Sequence, residues 1–370
     1  MKRRVLVGMS GGIDSTAATL LLKRQGFDVV GLTIWNHGPG SGDGSSEPEF
    51  IDDARRAADR LGIEHFVADE RGTFERDVVR PFLQGWMDGV TPNPCVECNP
   101  NFKFRILTEQ ADRLGCDFIA TGHYASVCCD GGWHYIVRAE DGLKDQSYFL
   151  WRLGQDVLRR TIFPLGHMTK SRIRKLVAEE GIPMRESNRE SMEICFIESD
   201  YRDFLRQRVP DIDSKIGPGR FVDSEGHIIG QHRGYPFYTV GQRKGLEVAF
   251  GSPRYVLKTN PDKNTVMLGL PEQLETEYML VSDMVLHPAA SKGGLQVKIR
   301  YRSRPVPCIV CCPADEGRTL IRFLEPASAV APGQSAVFYC SDRVVGGAVI
   351  SSQRGIGQFI ISNNEDTYTV

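Results

Sequence analysis

Val5-Leu6-Val7-Gly8-Met9-Ser10-Gly11-Gly12-Ile13-Asp14-Ser15-Thr16-Ala17-Ala18-Thr19-Leu20-Leu21-Leu22 decides the architecture. An apolar run meets a glycine turn and then a helix-forming stretch. This order, strand then tight turn then helix, leaves the unpaired N–H groups of a helix start facing one small concavity. Such a concavity suits an anion. Gly11 and Gly12 carry no Cβ and let the backbone approach phosphate oxygens, while the hydroxyls of Ser10 and Ser15 add donors. Asp14 would repel a bare phosphate, so its presence fits a nucleotide accompanied by Mg²⁺. The plain alternative is an ordinary glycine-rich strand-to-helix turn.

Working outward, Phe27 to Ile34 reads as a second buried strand, which as a parallel neighbour would end beside the glycine turn. Asn36 to Pro48, rich in Gly and Ser, reads as a loop. A helix from about Glu49 to Leu61 carries Ile51, Ala54, Ala57, Ala58 and Leu61 on one face. Glu64 to Ala68 reads as a strand, Phe102 to Leu114 as a helix, and Cys116 to Gly122 as a strand and turn. This alternation predicts an α/β domain with a doubly wound parallel sheet. After about Tyr201 the pattern changes to short alternating segments between glycine-rich turns, with hairpins at Arg220–Gln231 and Tyr255–Gly269. From about Glu277 it is nearly all strand, with candidates at Val297–Arg302, Val306–Cys311, Arg318–Phe323, Ser335–Tyr339 and Val344–Ile350. The expected division is a catalytic domain over 1–206, a small central β-rich domain over 207–274 and a C-terminal β-barrel over 275–362.

Composition narrows the class. The 370 residues are 41% hydrophobic and 25% charged, with a net charge of −2, so global charge does not advertise a polyanion partner, which would have to meet local basic patches. No apolar stretch reaches the length of a membrane span, and the segment after Lys2-Arg3-Arg4 meets the glycine turn too early for a signal peptide, so a cytoplasmic location is expected. Ten cysteines, some adjacent (Cys128-Cys129, Cys311-Cys312), do not form the pattern of a secreted disulfide framework. Cys98 stands before the helix expected at Phe102, where the dipole would favour a thiolate nucleophile. Cys95-x-x-Cys98 could equally be half of a metal site. Cys195, where polar residues give way to an expected short apolar strand, could lie at the edge of a pocket. Cys116, Cys128, Cys129, Cys308, Cys311, Cys312 and Cys340 read as small buried hydrophobes.

The glycine turn lacks the Gly-Lys-Ser/Thr of a Walker A loop and the spacing of a dinucleotide fingerprint. SGGxDS instead resembles the PP-loop of the ATP pyrophosphatases. Four further motifs follow in order: TPNPCxxCN at Thr91 to Asn99, ATGHY at Ala120 to Tyr124, KDQSYFLW at Lys144 to Trp151, and ICFI around Cys195. Together they resemble the bacterial tRNA-specific 2-thiouridylases, the MnmA family, through to Ala331-Pro332-Gly333-Gln334.

That resemblance implies adenylation of the position-2 oxygen of the wobble uridine by ATP with Mg²⁺, then replacement of that oxygen by sulfur from a cysteine persulfide, giving 2-thiouridine, AMP and pyrophosphate. Adenylation is chemically needed, because a uracil carbonyl oxygen is otherwise no leaving group. Carried over by motif, Cys195 holds the persulfide and Cys98 is the catalytic nucleophile that resolves it. Gly8, Met9, Ser10, Gly11, Gly12, Ile13, Asp14, Ser15, Ile34 and Gly122 bind ATP. Asn93, Pro94 and Cys95 touch the target base, and His123, Lys144, Asp145, Gln146, Arg300, Tyr301 and Gln334 contact tRNA. Many members carry Asp where this chain has Cys95. The implied partners are the anticodon loop and a sulfur-donor protein or cysteine desulfurase; no tightly bound metal is implied.

Two groups of basic residues would suit phosphate contacts. Lys170, Arg172, Arg174 and Lys175 crowd the N-terminal half of a helix over Thr169–Glu180, against the macrodipole, and Arg300, Arg302 and Arg304 form a second group. Solvated charged faces are the alternative for both. Other readings are a PP-loop sulfurtransferase with a metal cluster on Cys95 and Cys98, a small-molecule ATP-pyrophosphatase ligase, and an RNA-binding protein with a degenerate nucleotide site.

Overall fold

The computed structural model describes residues 3–38, 47–182, 194–197, 200–248, 251–289, 294–313 and 317–362. The chain divides into two compact units, one of residues 1–79, 94–196 and 342–344, the other of 80–93, 197–341 and 345–370.

The first unit holds a five-stranded sheet of β1 (Arg4–Gly8), β2 (Asp28–Trp35), β3 (Glu64–Asp69), β4 (Phe118–Thr121) and, after the hairpin of β5 (Ala125–Asp130) and β6 (Trp133–Arg138), β7 (Thr161–Ile162). The order is β3-β2-β1-β4-β7 and every pairing in it is parallel. Val5, Leu6 and Val7 are wholly buried, as a strand covered on both faces requires. In register, Gly8 lies beside Leu32 on one side and Thr121 on the other. Strand order reverses about β1 and β4, so the crevice beyond their carboxyl ends is where such a sheet binds a ligand.

Two helices cover the sheet as the side chains dictate. Ile13–Arg24 buries small residues, Ser15 to Thr19 among them, and Thr16 and Thr19 return their hydroxyls to the carbonyls of Gly12 (3.0 Å) and Ser15 (2.9 Å). Glu49–Leu61 buries Ile51, Ala54, Ala57, Ala58 and Leu61 and stops at Gly62, whose left-handed φ of 59° a side chain would resist. The β5–β6 hairpin, absent from the sequence reading, turns at Gly131 and Gly132, both at positive φ.

Three expectations are corrected in this unit. The helix expected from Phe102 begins earlier, and the Pro-rich stretch before it, expected as a loop, is helical. Pro94–Cys98 is helical, Asn99–Phe104 is a π-turn and Arg105–Arg113 continues as α-helix, so Cys98 lies inside a helical run rather than at its start. Cys195 begins a turn, not a strand. Cys129 is exposed rather than buried, because strand alternation on β5 turns it away from the better-covered Cys128.

The second unit contains two β modules. β8 (Gly219–Val222), β9 (Ile228–His232), β10 (Tyr255–Asn260) and β11 (Thr265–Gly269) form a sheet in the order β10-β11-β8-β9. β12 (Glu275–Leu286), β13 (Leu295–Lys298), β14 (Val306–Pro313), β15 (Thr319–Ser328), β16 (Ser335–Cys340) and β17 (Arg343–Ile350) run β12-β15-β14-β13-β16-β17, and β17 pairs back on β12 to close a six-stranded antiparallel barrel. The strand expected through Arg302 ends at Lys298, because the Ser303 hydroxyl and the Arg300 backbone bond each other in a turn. Ile356–Ser362 is helix, not strand.

Candidate active site

Met9 leaves β1 with its N–H on the Leu32 carbonyl, and its own carbonyl accepts the Thr33 hydroxyl at 2.9 Å. Thr33 Oγ1 has then spent its proton, so His65 Nε2, 2.8 Å away, is the donor to it. Burial holds the His65 pKa below 6.5, so the ring is neutral at neutral pH. The Ser15 hydroxyl accepts from the Ser10 N–H at 3.1 Å and donates to the Gly12 carbonyl at 3.0 Å, which tightens the turn. Gly11 sits at φ +73°, and a Cβ there would fall 2.3 Å from the Phe50 carbonyl oxygen. No side chain caps the Ile13–Arg24 helix at Gly12, and the first N–H groups of a helix have no acceptor within the helix itself. These features fit an anionic ligand.

Asp14 projects from that helix start, and the Lys170 ammonium lies 2.6 and 2.7 Å from its two oxygens. The Tyr124 hydroxyl donates to the same carboxylate at 2.8 Å. Burial, reinforced by Asp14, pushes the Tyr124 pKa upward, so it stays a donor. Gln146 brackets Tyr124, its amide oxygen accepting the Tyr124 N–H and its own N–H bonding the Tyr124 carbonyl. Asp141 holds the backbone N–H of Lys170 at 3.1 Å, and Thr169 caps the Lys170–Glu179 helix. Lys170 therefore faces the nucleotide turn, while Arg172, Arg174 and Lys175 remain exposed. A Cβ on Gly122 would lie 2.7 Å from the Ser15 nitrogen, so only glycine lets β4 end against the turn. Ile34, half-buried near the end of β2, pairs with Ala68.

The thiols form a second group in the same unit. Burial pushes the Cys95 thiol up to about 11 and Cys98 to about 12; for Cys98 this is the reverse of the helix-start expectation, because it ends the Pro94–Cys98 turn inside a helical run. Cys195 is exposed at the surface, yet protein packed on its inner side raises its thiol as well; exposure is what governs whether a donor can reach it. Cys95 and Cys98 each feel the charge of Cys195, and Lys103 opposes the upward shift on all three. The Asn36 amide nitrogen lies 3.9 Å from the Cys195 sulfur, which sets this thiol against the carboxyl end of β2. Lys103, Asn36, Tyr124 and the Asp14 contact of Lys170 escaped the site reading. None has a spacing rule, although Tyr124 closes the ATGHY motif and Lys103 lies shortly after TPNPCxxCN.

Other expected site residues have structural partners. Asp145 is buried and accepts from the N–H groups of Ala139 and Ser147 and from the Ser147 hydroxyl. Lys144 is half-buried, its N–H on the Asp141 carbonyl. His123 bonds Thr121 through Nδ1 and lies against Phe104 and Phe163, and burial drives its pKa well below 6.5. Pro94 is buried. In the second unit, Gln334 donates to the Thr91 carbonyl at 2.9 Å, two residues before Asn93. Arg300 donates to the Val240 carbonyl at 2.6 Å and joins the central module to the barrel, Tyr301 lies under the Lys298 ammonium, and Arg304 pairs with Glu325.

Three family profiles tile the chain: the tRNA methyl transferase HUP domain over 3–199, the tRNA methyl transferase PRC-barrel domain over 202–270 and the aminomethyltransferase beta-barrel domain over 277–350. The protein named tRNA-specific 2-thiouridylase MnmA 3 of Bacteroides fragilis is 56% identical over 370 residues, covering 99% of this chain and 98% of its own. Its namesake in Phocaeicola vulgatus is 53% identical, covering 99% of each chain. The tRNA-specific 2-thiouridylase MnmA of Cytophaga hutchinsonii is 42% identical over 95% of this chain and 98% of its own. With all three profiles in order and such identity from end to end, the chain belongs to the tRNA-specific 2-thiouridylase MnmA family.

Proposed function

We propose that this protein is a tRNA 2-thiouridylase, using ATP to activate the position-2 oxygen of the wobble uridine and a cysteine-bound sulfur to replace it. One observation carries the reading. The exposed Cys195 sulfur sits against Asn36, two residues beyond Ile34, at the carboxyl end of the strand beside the nucleotide turn. The sulfur carrier and the anion cradle thus share the ligand edge of one sheet.

ATP supplies the adenylyl group that makes the uridine oxygen a leaving group. The residues around it have distinct tasks. The N–H groups at the Ile13–Arg24 helix start and the Ser10 hydroxyl hold phosphate oxygens. Asp14 would hold Mg²⁺, and Lys170, which pairs with it here, would meet the phosphates. Gln146 and Tyr124 fix the Asp14 carboxylate. A persulfide on Cys195, loaded by a sulfur-donor protein or cysteine desulfurase, attacks C2 through its terminal sulfur, and AMP departs with the oxygen. The Cys98 thiolate then attacks the Cys195 sulfur. The S–S bond to the base breaks, 2-thiouridine leaves, and a Cys98–Cys195 disulfide remains for a reductant to open. Cys95, protonated at neutral pH, contacts the base rather than acting as the general base a carboxylate could be. Asn93, Pro94, His123, Lys144, Arg300, Tyr301 and Gln334 contact tRNA or hold the segments that do, and an anticodon loop suits them because its bases are already unpaired.

The test is thiolation of unmodified tRNA with ATP, Mg²⁺, cysteine and a cysteine desulfurase, with 2-thiouridine read at the wobble position by mass spectrometry. Product that requires ATP and disappears in Cys195→Ala is expected. ATP cleavage to AMP without thiolated product would place the activity on another acceptor.

A further inference from the structure

We propose that Asn36, oriented by His37, is a positioning residue whose amide holds the sulfur carried by Cys195; this rests on the reading of Cys195 as the sulfur carrier. The Asn36 amide nitrogen is 3.9 Å from the Cys195 sulfur, within reach of an N–H···S bond. The other end of the amide is fixed, since Asn36 Oδ1 lies 2.9 Å from His37 Nδ1. With Nδ1 as donor, the amide oxygen faces the ring and the N–H faces the sulfur. An amide donor bonds a neutral thiol weakly and a thiolate or persulfide anion more strongly, so the contact gains strength in the charged state that reacts.

Both partners stand on one support. Trp35, the buried last residue of β2, donates its indole N–H to the His37 carbonyl at 3.0 Å, and the Arg71 guanidinium covers its ring at 3.9 Å. The His37 ring stacks on Phe50 and lies 6.4 Å from Phe74. Phe196, adjacent to Cys195, packs on the same Phe74 at 5.5 Å. Phe74 therefore fixes both the donor and the thiol, which is the preorganisation a sulfur-holding contact needs. Among the described residues, Lys103, Cys95 and Cys98 are the other titratable groups coupled to this sulfur.

The variants Asn36→Asp, Asn36→Ala, Asn36→Ser and His37→Phe, in the full chain, provide the test. Asn36→Asp keeps the size and the acceptor for His37 but turns an anion toward the sulfur. Alkylation of Cys195 by iodoacetamide is followed by peptide mass spectrometry from pH 7 to 10, without tRNA or ATP. We expect Asn36→Asp to move the midpoint up by about one pH unit, slowing reaction at pH 8 about tenfold. Asn36→Ala and His37→Phe shift it less in the same direction, and Asn36→Ser, which keeps a donor, recovers toward wild type. With tRNA and ATP, 2-thiouridine formation falls further than AMP formation. Unchanged Cys195 titration in both Asn36→Asp and Asn36→Ala overturns the proposal, as does an equal loss of AMP and 2-thiouridine. Failure of the wild type to thiolate tRNA would sink the enzymatic reading alone, because the alkylation series is read without it.

Discussion

Lys170 spans 156 residues of sequence to grip both oxygens of Asp14, so the acidic group at the nucleotide turn is neutralised within the protein itself. A carboxylate among anion-binding N–H groups would otherwise oppose the ligand those groups select. Lys170→Met should therefore lower tRNA-dependent pyrophosphate release by about 10²-fold, the scale for losing one group aimed at developing phosphate charge. Asp14→Ala should lose more, since the Tyr124 hydroxyl and Lys170 ammonium both lose their partner. A wild-type rate in Lys170→Met would show that the pair is structural only.

Asp145 tests where family motif and local physics part. Its carboxylate is committed to three donors inside the 139–147 turn, and that turn carries Gln146 to Tyr124. Asp145→Ala strands buried donors and should cost about 2–4 kcal/mol of stability, measured as a lower urea midpoint. At a temperature where the variant is folded, its tRNA affinity should remain within severalfold of wild type. A selective loss of tRNA binding without loss of stability would reverse this assignment and make Asp145 a direct contact.

The parallel sheet is legible because Val5–Val7 and Phe27–Ile34 are largely apolar runs with a glycine turn and a helix between them, and the Glu49–Leu61 face because its period is strict. Cys98 was misplaced because Pro92 and Pro94 mark a loop in most contexts, whereas Pro94 here takes the first position of a helix, where its missing N–H costs nothing. Lys170 was assigned to an external phosphate on the order of charges along its helix. That order cannot reveal which side chain folds back on a partner so distant in sequence. Asn36 meets Cys195 only through tertiary folding, and Lys103 meets Cys98 through a π-turn that no apolar period in the sequence announces.

His232 gives the second unit a pH dependence of known sign. Its Nδ1 accepts the Gly234 N–H at 3.0 Å, and Phe221 and Tyr238 enclose the ring. Burial lowers its pKa from 6.5 to about 4. The unfolded chain therefore takes up a proton the folded one refuses, so stability is full above pH 6.5 and declines as pH falls toward 4. The ceiling is about 3 kcal/mol, at about 1.4 kcal/mol per pH unit. His287, in the same unit, is shifted the same way and adds to the slope. Urea midpoints at pH 7 and pH 5 should differ less in His232→Phe than in wild type; an unchanged difference would show that His232 titrates normally.

With Cys98 in its proposed role, it and Lys103 should set the pH profile of sulfur transfer. With its thiol raised to about 12, Cys98 is almost wholly protonated at neutral pH, and the thiolate fraction grows about tenfold per pH unit below that value. Single-turnover formation of 2-thiouridine by the persulfide-loaded enzyme should therefore climb steeply from pH 7 to 9, while exposed Cys195 is alkylated well before Cys98. Lys103 acts against the burial of all three thiols. Its removal in Lys103→Met should move the profile to higher pH and slow transfer at pH 8 by about tenfold, the equivalent of one pH unit. AMP formation should fall less, because the adenylating groups do not depend on a thiolate. A flat profile, or one that Lys103→Met leaves in place, would mean that thiol deprotonation does not limit the step and that tRNA binding itself resets the environment of Cys98.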